Sequence, residues 1–289
     1  MSTKLSKAKE HASGRTPFAP IDIFLRGALV VNALGVFLPI IFMINSSFRN
    51  GADIYTSPLA LADGIDLSNY RLVLTEGKFT QYLLNSVIVT ASATFIVLLF
   101  GTLAGYALAR YQFKFNTAIY LFFLAGLLIP AKLALVPLFI QLKNMGLLDS
   151  RIGLILVYVS GAIPAAVFIF TGFIRALPAD LDNAARIDGA SELQVFGRVM
   201  LPLIFPVTGI VGIYSAIPIW NDFLLPLVFI RDTSKMTIMQ GISVFFGEYG
   251  ANWGALFAGL TMAALPLVIL YVILSSQFIK GLTAGATKG

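Results

Sequence analysis

The chain has 289 residues, 58% of them hydrophobic and 12% charged, with a mean hydropathy of +0.87 and a net charge of +6. Soluble domains carry roughly twice that share of charge, so a water-soluble globular core is excluded. The surplus of Lys and Arg reads as membrane topology and contact with anionic headgroups, not as nucleic-acid binding. The absence of Cys excludes a disulfide framework, a thiol nucleophile and a Cys-ligated metal site.

Residues 1–20 are polar and basic, and they read as a cytoplasmic tail ahead of an uncleaved first span. The single His, His11, lies in this tail and reads as solvated. The windows Gly27–Phe48, Phe79–Ala109, Ile152–Ile174, Val199–Asn221 and Tyr249–Ile279 contain no Asp, Glu, Lys or Arg. About 20 apolar residues cross a bilayer, and continuous apolar runs indicate helices, whereas barrel strands alternate. A further run, Phe115–Leu142, is interrupted only by Lys132, beside Pro130.

The expected fold is therefore an all-α integral membrane protein with six transmembrane helices. The spans are Ile21–Ser47, Gln81–Ala109, Asn116–Leu142, Ile152–Ile174, Val199–Ile230 and Gly254–Lys280. They form one membrane domain over 21–280, followed by a short tail over 281–289. Pro202, Pro206, Pro218 and Pro226 are expected to break the fifth span. Lys132 is read as snorkelling outward. Lys4, Lys7, Lys9, Arg15, Arg26, Arg110 and Lys114 are best placed inside, so both termini are expected to be cytoplasmic.

Between the fourth and fifth spans lies a polar island, 177–202, which a membrane protein has little reason to keep unless something docks on it. Pro178 ends the preceding helix. Asp180 can cap a short new helix over Leu181–Ile187, with Asp182 in its first turn. Asp188-Gly189 supplies a sharp bend. Ser191-Glu192-Leu193-Gln194 is a capping box that opens a second helix. Ala184, Ala185, Gly189 and Ala190 keep the surface small. On these features alone the island is either an interfacial loop or a knob for a soluble partner.

The island resembles the cytoplasmic "EAA" loop of permease subunits of bacterial ABC importers. That pattern runs Glu-Ala-Ala, then Gly three residues on, then a spacer to Leu-Pro. Ala184-Ala185, Asp188-Gly189-Ala190-Ser191, Gln194, Phe196 and Leu201-Pro202 match it. Elsewhere the chain is similar to the carbohydrate-uptake branch, in particular the smaller permease of maltose-type importers. This likeness rests on Asn45-Ser46-Ser47-Phe48-Arg49, Asn85-Ser86, Ala104–Arg110, Trp220-Asn221-Asp222-Phe223 and the tail Gln277–Gly289. Asn183 stands where the family has Glu, with Asp182 one residue earlier. An amide hydrogen-bonds but carries no charge, so docking by shape and hydrogen bonds is expected at this subunit.

The resemblance implies a permease in a bacterial cytoplasmic (inner) membrane, forming half of a translocation pathway for a sugar or sugar derivative. The implied partners are a second, different permease, two ATPase subunits, an extracytoplasmic substrate-binding protein and membrane lipid. ATP and Mg belong to the ATPase subunits, and this chain is expected to bind no cofactor or metal and to catalyse nothing. No Gly-x-x-x-x-Gly-Lys-Ser/Thr occurs, and in the similar-looking terminal sequence Ala286 takes the second required Gly. The implied coupling residues are Asp182, Asn183, Ala184, Ala185, Asp188, Gly189, Ala190, Phe196, Leu201 and Pro202. Tyr82, Asn85, Ser86, Trp220, Asn221 and Asp222 are candidates for the substrate pathway, since aromatic faces with amides and carboxylates suit sugar hydroxyls. The same groups also serve as interface anchors and helix links. A different class, a subunit of an ion-coupled carrier or channel, would need an acid within a span, and Asp222 is the one candidate.

Overall fold

Thirteen α-helices make up the computed structural model, which describes residues 20–130, 132–247 and 252–286. The N-terminal tail with His11 and the terminal Thr287–Gly289 lie outside the described residues. In chain order the helices are α1 Pro20–Ser47, α2 Gly51–Thr56, α3 Ser68–Thr75, α4 Phe79–Arg110, α5 Asn116–Leu127, α6 Leu135–Asn144 and α7 Arg151–Ala176. There follow α8 Asp180–Ile187, α9 Glu192–Gln194, a π-helical segment Val195–Met200, α10 Leu201–Asn221, α11 Leu224–Phe229, α12 Ile238–Gly247 and α13 Trp253–Ala286.

Five of these stretches are long and apolar enough to cross a membrane: Ile23–Ser47, Phe79–Arg110, Arg151–Ala176, Glu192–Asn221 and Trp253–Val272. The predicted third span is not one helix. It divides into α5, of 12 residues, and α6, of 10. Pro130 lies in the gap, where it cannot donate a backbone bond and drives the residue before it away from helical geometry. Pro137, in the first turn of α6, costs nothing because its N–H would be unpaired anyway. At 1.5 Å per residue α5 is about 18 Å long, short of the ~30 Å hydrocarbon core.

The prolines of the predicted fifth span behave differently. Pro206 and Pro218 lie inside α10 without ending it. The helix stops instead at Asn221, and Asp222 caps α11, its Oδ1 accepting from Leu224 N at 3.0 Å. The π segment lies immediately before Pro202, which removes one bond of the regular ladder, and the Leu201 N–H reaches back to the Phe196 carbonyl. At the other end of the chain, α13 continues through Ala286, past the expected boundary at residue 280.

The centre of the molecule is the parallel pair α4 and α7. Gly101 and Gly105 allow the two backbones to meet. A Cβ at Gly101 would lie 2.7 Å from the Ala166 Cβ, and one at Gly105 would lie 2.6 Å from the Phe170 Cβ. Small residues at such contacts are how membrane helices gain close packing in a solvent as apolar as themselves. Val97, Leu154, Phe170 and Ile174 fill this interface, and Met200, Ile204 and Val211 of the π segment and α10 close over it. A second cluster, around Val73, Tyr82, Trp220, Ile238 and Ala255, packs the far end against α3, α12 and α13. The first helix lies against α13, with Phe42 and Phe257 edge to face at 5.5 Å. The α4–α7 pair thus has two polar ends, one carrying the island and the other the returning loops.

Candidate functional site

At the island end, α7 stops because Pro178 forces Leu177 into extended geometry (φ −81°, ψ 140°). The first helix of the island begins one residue earlier than expected. Ala179 is at its N-cap with no side-chain bond, and Asp180 lies in the first turn. Asp180 is therefore not the cap, although its charge still faces the positive end of the helix dipole.

The far end of α8 closes as a Schellman turn. Gly189 N donates to the Arg186 carbonyl and Ala190 N to the Ala185 carbonyl, both at 3.0 Å, with Gly189 at φ +85°. No atom lies within 4 Å of a Cβ placed on Gly189, so the requirement for glycine is conformational. The capping box forms, with Ser191 N donating to Gln194 Oε1 at 2.9 Å. Two short helices do meet at a bend.

The two residues just before the Ala-Ala pair, one acidic and one an amide, differ in burial. Asp182 is turned inward and is 1% exposed, with Oδ2 2.5 Å from Arg110 Nε. It is turned to Arg110 and not to the outer face of the island. Asn183 is exposed, and its Oδ1 accepts from Arg186 at 3.1 Å. Arg186 also donates to Glu192, Nε–Oε1 2.8 Å, and Glu192 accepts from the Tyr111 hydroxyl at 2.5 Å. These bonds hold the Arg186 guanidinium and the Tyr111 phenol well above their ordinary values, in each case chiefly through the bond to Glu192. Arg186 and Glu192 thus neutralise each other in a chain from Asn183 to Tyr111, while Asp180, Asp188 and Arg198 are exposed.

What is presented outward is compact and includes two large apolar side chains. Ile187 is 86% and Leu193 81% exposed, beside the exposed Ala184, Asp188 and Gly189. Ala185 and Ala190 are half-buried. Phe196 points inward, its ring 5.1 Å from Tyr106. Leu201 and Pro202 are exposed where the π segment passes into α10. The sequence reading missed Ile187, Leu193 and the pairing roles of Arg110, Tyr111, Arg186 and Glu192. The signal for Ile187 and Leu193 was two large apolar residues flanking the Asp-Gly bend.

The substrate-pathway candidates lie at the opposite end, and most are engaged within the chain. Asn85 Nδ2 donates to the carbonyls of Ser234 and Met236, both at 2.9 Å, while its Oδ1 accepts from Arg151 at 2.8 Å. Ser86 Oγ accepts from Ile238 N at 2.7 Å. Trp220 Nε1 donates to the Ala263 carbonyl at 3.1 Å. The Tyr82 ring is buried, and a Cβ on Gly241 would clash with it. These four residues fasten helices and loops together and are not available to a sugar in this arrangement. Asn221 is the exposed polar member of the set. Asp222, the one acid considered for ion coupling, is occupied by Tyr158, whose hydroxyl donates to Oδ2 at 2.9 Å, and by the start of α11. Lys132 is exposed in the gap between α5 and α6.

Asp149 completes this end, and no feature of the sequence reading singled it out. With φ at +52°, it accepts from the backbone N–H groups of Arg231 and Asp232 at 2.9 and 3.0 Å and pairs with Lys235 at 3.3 Å. The Asp232 N–H is the main cause holding its carboxyl below the usual range.

The chain matches the family described as binding-protein-dependent transport system inner membrane component over residues 97–283, which include the island, all of α7 and the island end of α4. It is 38% identical to the diacetylchitobiose uptake system permease protein NgcG of Streptomyces coelicolor, over 97% of this chain and 93% of that one. It is 32% identical to the melibiose/raffinose/stachyose import permease protein MelC of Bacillus subtilis, over 92% and 96% respectively. The fold is that of a chain in the crystal structure of a bacterial ABC transporter involved in the import of the acidic polysaccharide alginate. The TM-score is 0.75 at 24% identity, covering 91% of this chain and 100% of that one. A multi-pass arrangement of apolar helices, the island between its fourth and fifth predicted spans and these likenesses agree: the chain belongs to the family of binding-protein-dependent transport system inner membrane components.

Proposed function

We propose that this chain is one of two permease subunits of an ATP-driven importer that takes up a sugar or short oligosaccharide delivered by an external binding protein. Both termini and the island face the cytoplasm of a bacterial inner membrane. The chain crosses six times, the third crossing being shared by α5 and α6. Two ATPase subunits hold ATP and Mg and hydrolyse it, and one of them seats the island. The other permease is a different chain, which carries the charged docking residue that Asn183 lacks. The named cargoes of the relatives, diacetylchitobiose and melibiose, raffinose or stachyose, support a neutral or N-acetylated oligosaccharide as substrate.

The observation that carries this reading is the island itself. An exposed knob stands at one end of the α4–α7 pair, with Ile187 and Leu193 projecting and Arg186 paired to Glu192. Isolated large apolar groups on a rigid bend suit a preformed apolar groove, where burial of such side chains is worth about 1.5–3 kcal/mol each. The test is uptake into proteoliposomes holding this chain, its partner permease and the ATPase subunits, with the binding protein outside. ATP-dependent uptake of diacetylchitobiose or melibiose is expected. Uptake that persists without ATP, or that follows an imposed proton or sodium gradient, would overturn the reading in favour of an ion-coupled carrier.

A further inference from the structure

We infer that the buried Arg110–Asp182 pair is a rigid joint that makes the island and the adjoining ends of α4 and α7 move as one body. This rests on the coupling role proposed above. The covalent connections of α8 are poor transmitters of force. On one side it joins α7 through the extended Leu177-Pro178, and on the other it joins α9 through the left-handed Gly189. Beyond α9 comes the widened π segment. A displacement of α8 carried by the chain alone would be absorbed at these breaks.

Arg110 bypasses them. It is the last residue of α4, and its guanidinium contacts Asp182 of α8 through Nε while both of its terminal nitrogens donate to the Leu177 carbonyl at 3.2 Å. The planar fork of an arginine fixes three elements in one geometry, which a lysine could not do. The lashing is reciprocal, because Arg175 at the end of α7 donates to the Leu108 carbonyl of α4 at 3.2 Å. Asp182 is a charged residue of an eight-residue surface helix, yet it is 1% exposed. Removing a carboxylate from water is unfavourable unless a partner compensates, so this contact fixes α8 itself, while Tyr111–Glu192 and Tyr106–Phe196 hold the part of the island beyond Gly189. Arg110 and Asp182 are positioning residues: neither meets the ATPase or the cargo.

The test uses the assembled complex with nitroxide labels at Leu103→Cys on α4 and Asp180→Cys on α8, both exposed positions. The distance distribution is measured without nucleotide and in the ATP-trapped state. The joint predicts one narrow distance, the same in both states. In Asp182→Asn the distribution should broaden, and uptake per ATP hydrolysed should fall about tenfold, within the usual range of coupling energies. Hydrolysis itself should continue. The exchanged pair, Arg110→Asp with Asp182→Arg, should restore the narrow distance. A label distance that changes between the two states in the otherwise native chain would overturn the inference, as would parent-like uptake per ATP in Asp182→Asn. If Asp182→Asn does not accumulate in the membrane, the two-state distance in the native chain decides alone. A native chain that purifies without ATPase subunits would instead sink the functional reading.

Discussion

The two ends of the α4–α7 pair use the same kinds of residue in opposite ways. At the island end a buried pair, Arg110 with Asp182, beside the Tyr111–Glu192 bond and the Tyr106–Phe196 contact, seats a knob whose outer face leaves Ile187 and Leu193 exposed. At the other end Asn85, Ser86 and Asp149 spend hydrogen bonds on backbone groups of the loop around residues 230–238, and Lys235 of that loop donates back to the Asp149 carbonyl. The first arrangement concentrates its contacts around one buried ion pair on the inner side and leaves a surface available. The second spreads them along the loop and leaves little to offer. A docking element and a structural clasp are told apart by where their polar groups point, not by which polar groups they contain.

The largest expected effect comes from breaking the concentrated contact. Arg110→Ala or Asp182→Ala leaves a buried charge unpaired, a loss of about 3–5 kcal/mol. Each variant should cut the yield of folded complex, as read by fluorescence-detected size exclusion. Replacing both with apolar residues should recover much of it, since such pairs exchange for packing at little cost. If the single variants are as stable as the parent, the pair is not buried as described.

The distributed end should yield less to any one change. Asn85→Ala abandons the Ser234 and Met236 carbonyls, worth about 1–3 kcal/mol. Faster hydrogen exchange is expected around residues 234–238, with retention of ATPase subunits unchanged. Faster exchange on α8 in this variant would show that the two ends are not independent.

Gly189→Val is of comparable or smaller size, about 1–2 kcal/mol, because a side chain there meets no neighbour and only the left-handed backbone is penalised. Membrane insertion should survive while ATPase retention falls. Smaller again is Asn183→Lys, which sets a second cation three residues before Arg186, worth a few tenths of a kcal/mol locally. Its weight should appear in docking, as reduced retention of ATPase subunits at low salt. Asn183→Glu should be tolerated.

Acid gives the gentlest contrast. The folded Asp149 carboxyl titrates below its ordinary value, so its contribution is complete above about pH 4 and is lost as pH falls through the lower folded value. The loop around residues 231–235 should therefore loosen as pH falls below about 4, and Asp149→Asn should remove that dependence.

Much of this contrast was legible in the sequence, and the rest was not for physical reasons. Charge-free windows located the long helices because the bilayer punishes charge along their whole length. Pro178, Asp188-Gly189 and the Ser191–Gln194 box located the island's helices because caps and turns are local chemistry. The break between α5 and α6 was hidden by averaging, since Leu128–Ala134 stays apolar apart from Lys132 while Pro130 interrupts the backbone. The burial of Asp182 was not legible because it depends on Arg110, a distant residue read only for topology. Asn85, Ser86 and Trp220 looked like sugar ligands because a side chain that binds a carbonyl and one that binds a hydroxyl are the same side chain. Only the fold shows which partner is near.

The central claim is that the exposed face of the island seats an ATPase subunit, and a photoreactive residue at Ile187 tests it most directly. In the fully assembled complex, illumination should join Ile187 to an ATPase subunit, with a yield that changes when ATP is added, while the same group at Asn221 should not reach that subunit. Adducts from Ile187 only to lipid or to the external binding protein, in a complex that still hydrolyses ATP, would contradict the account.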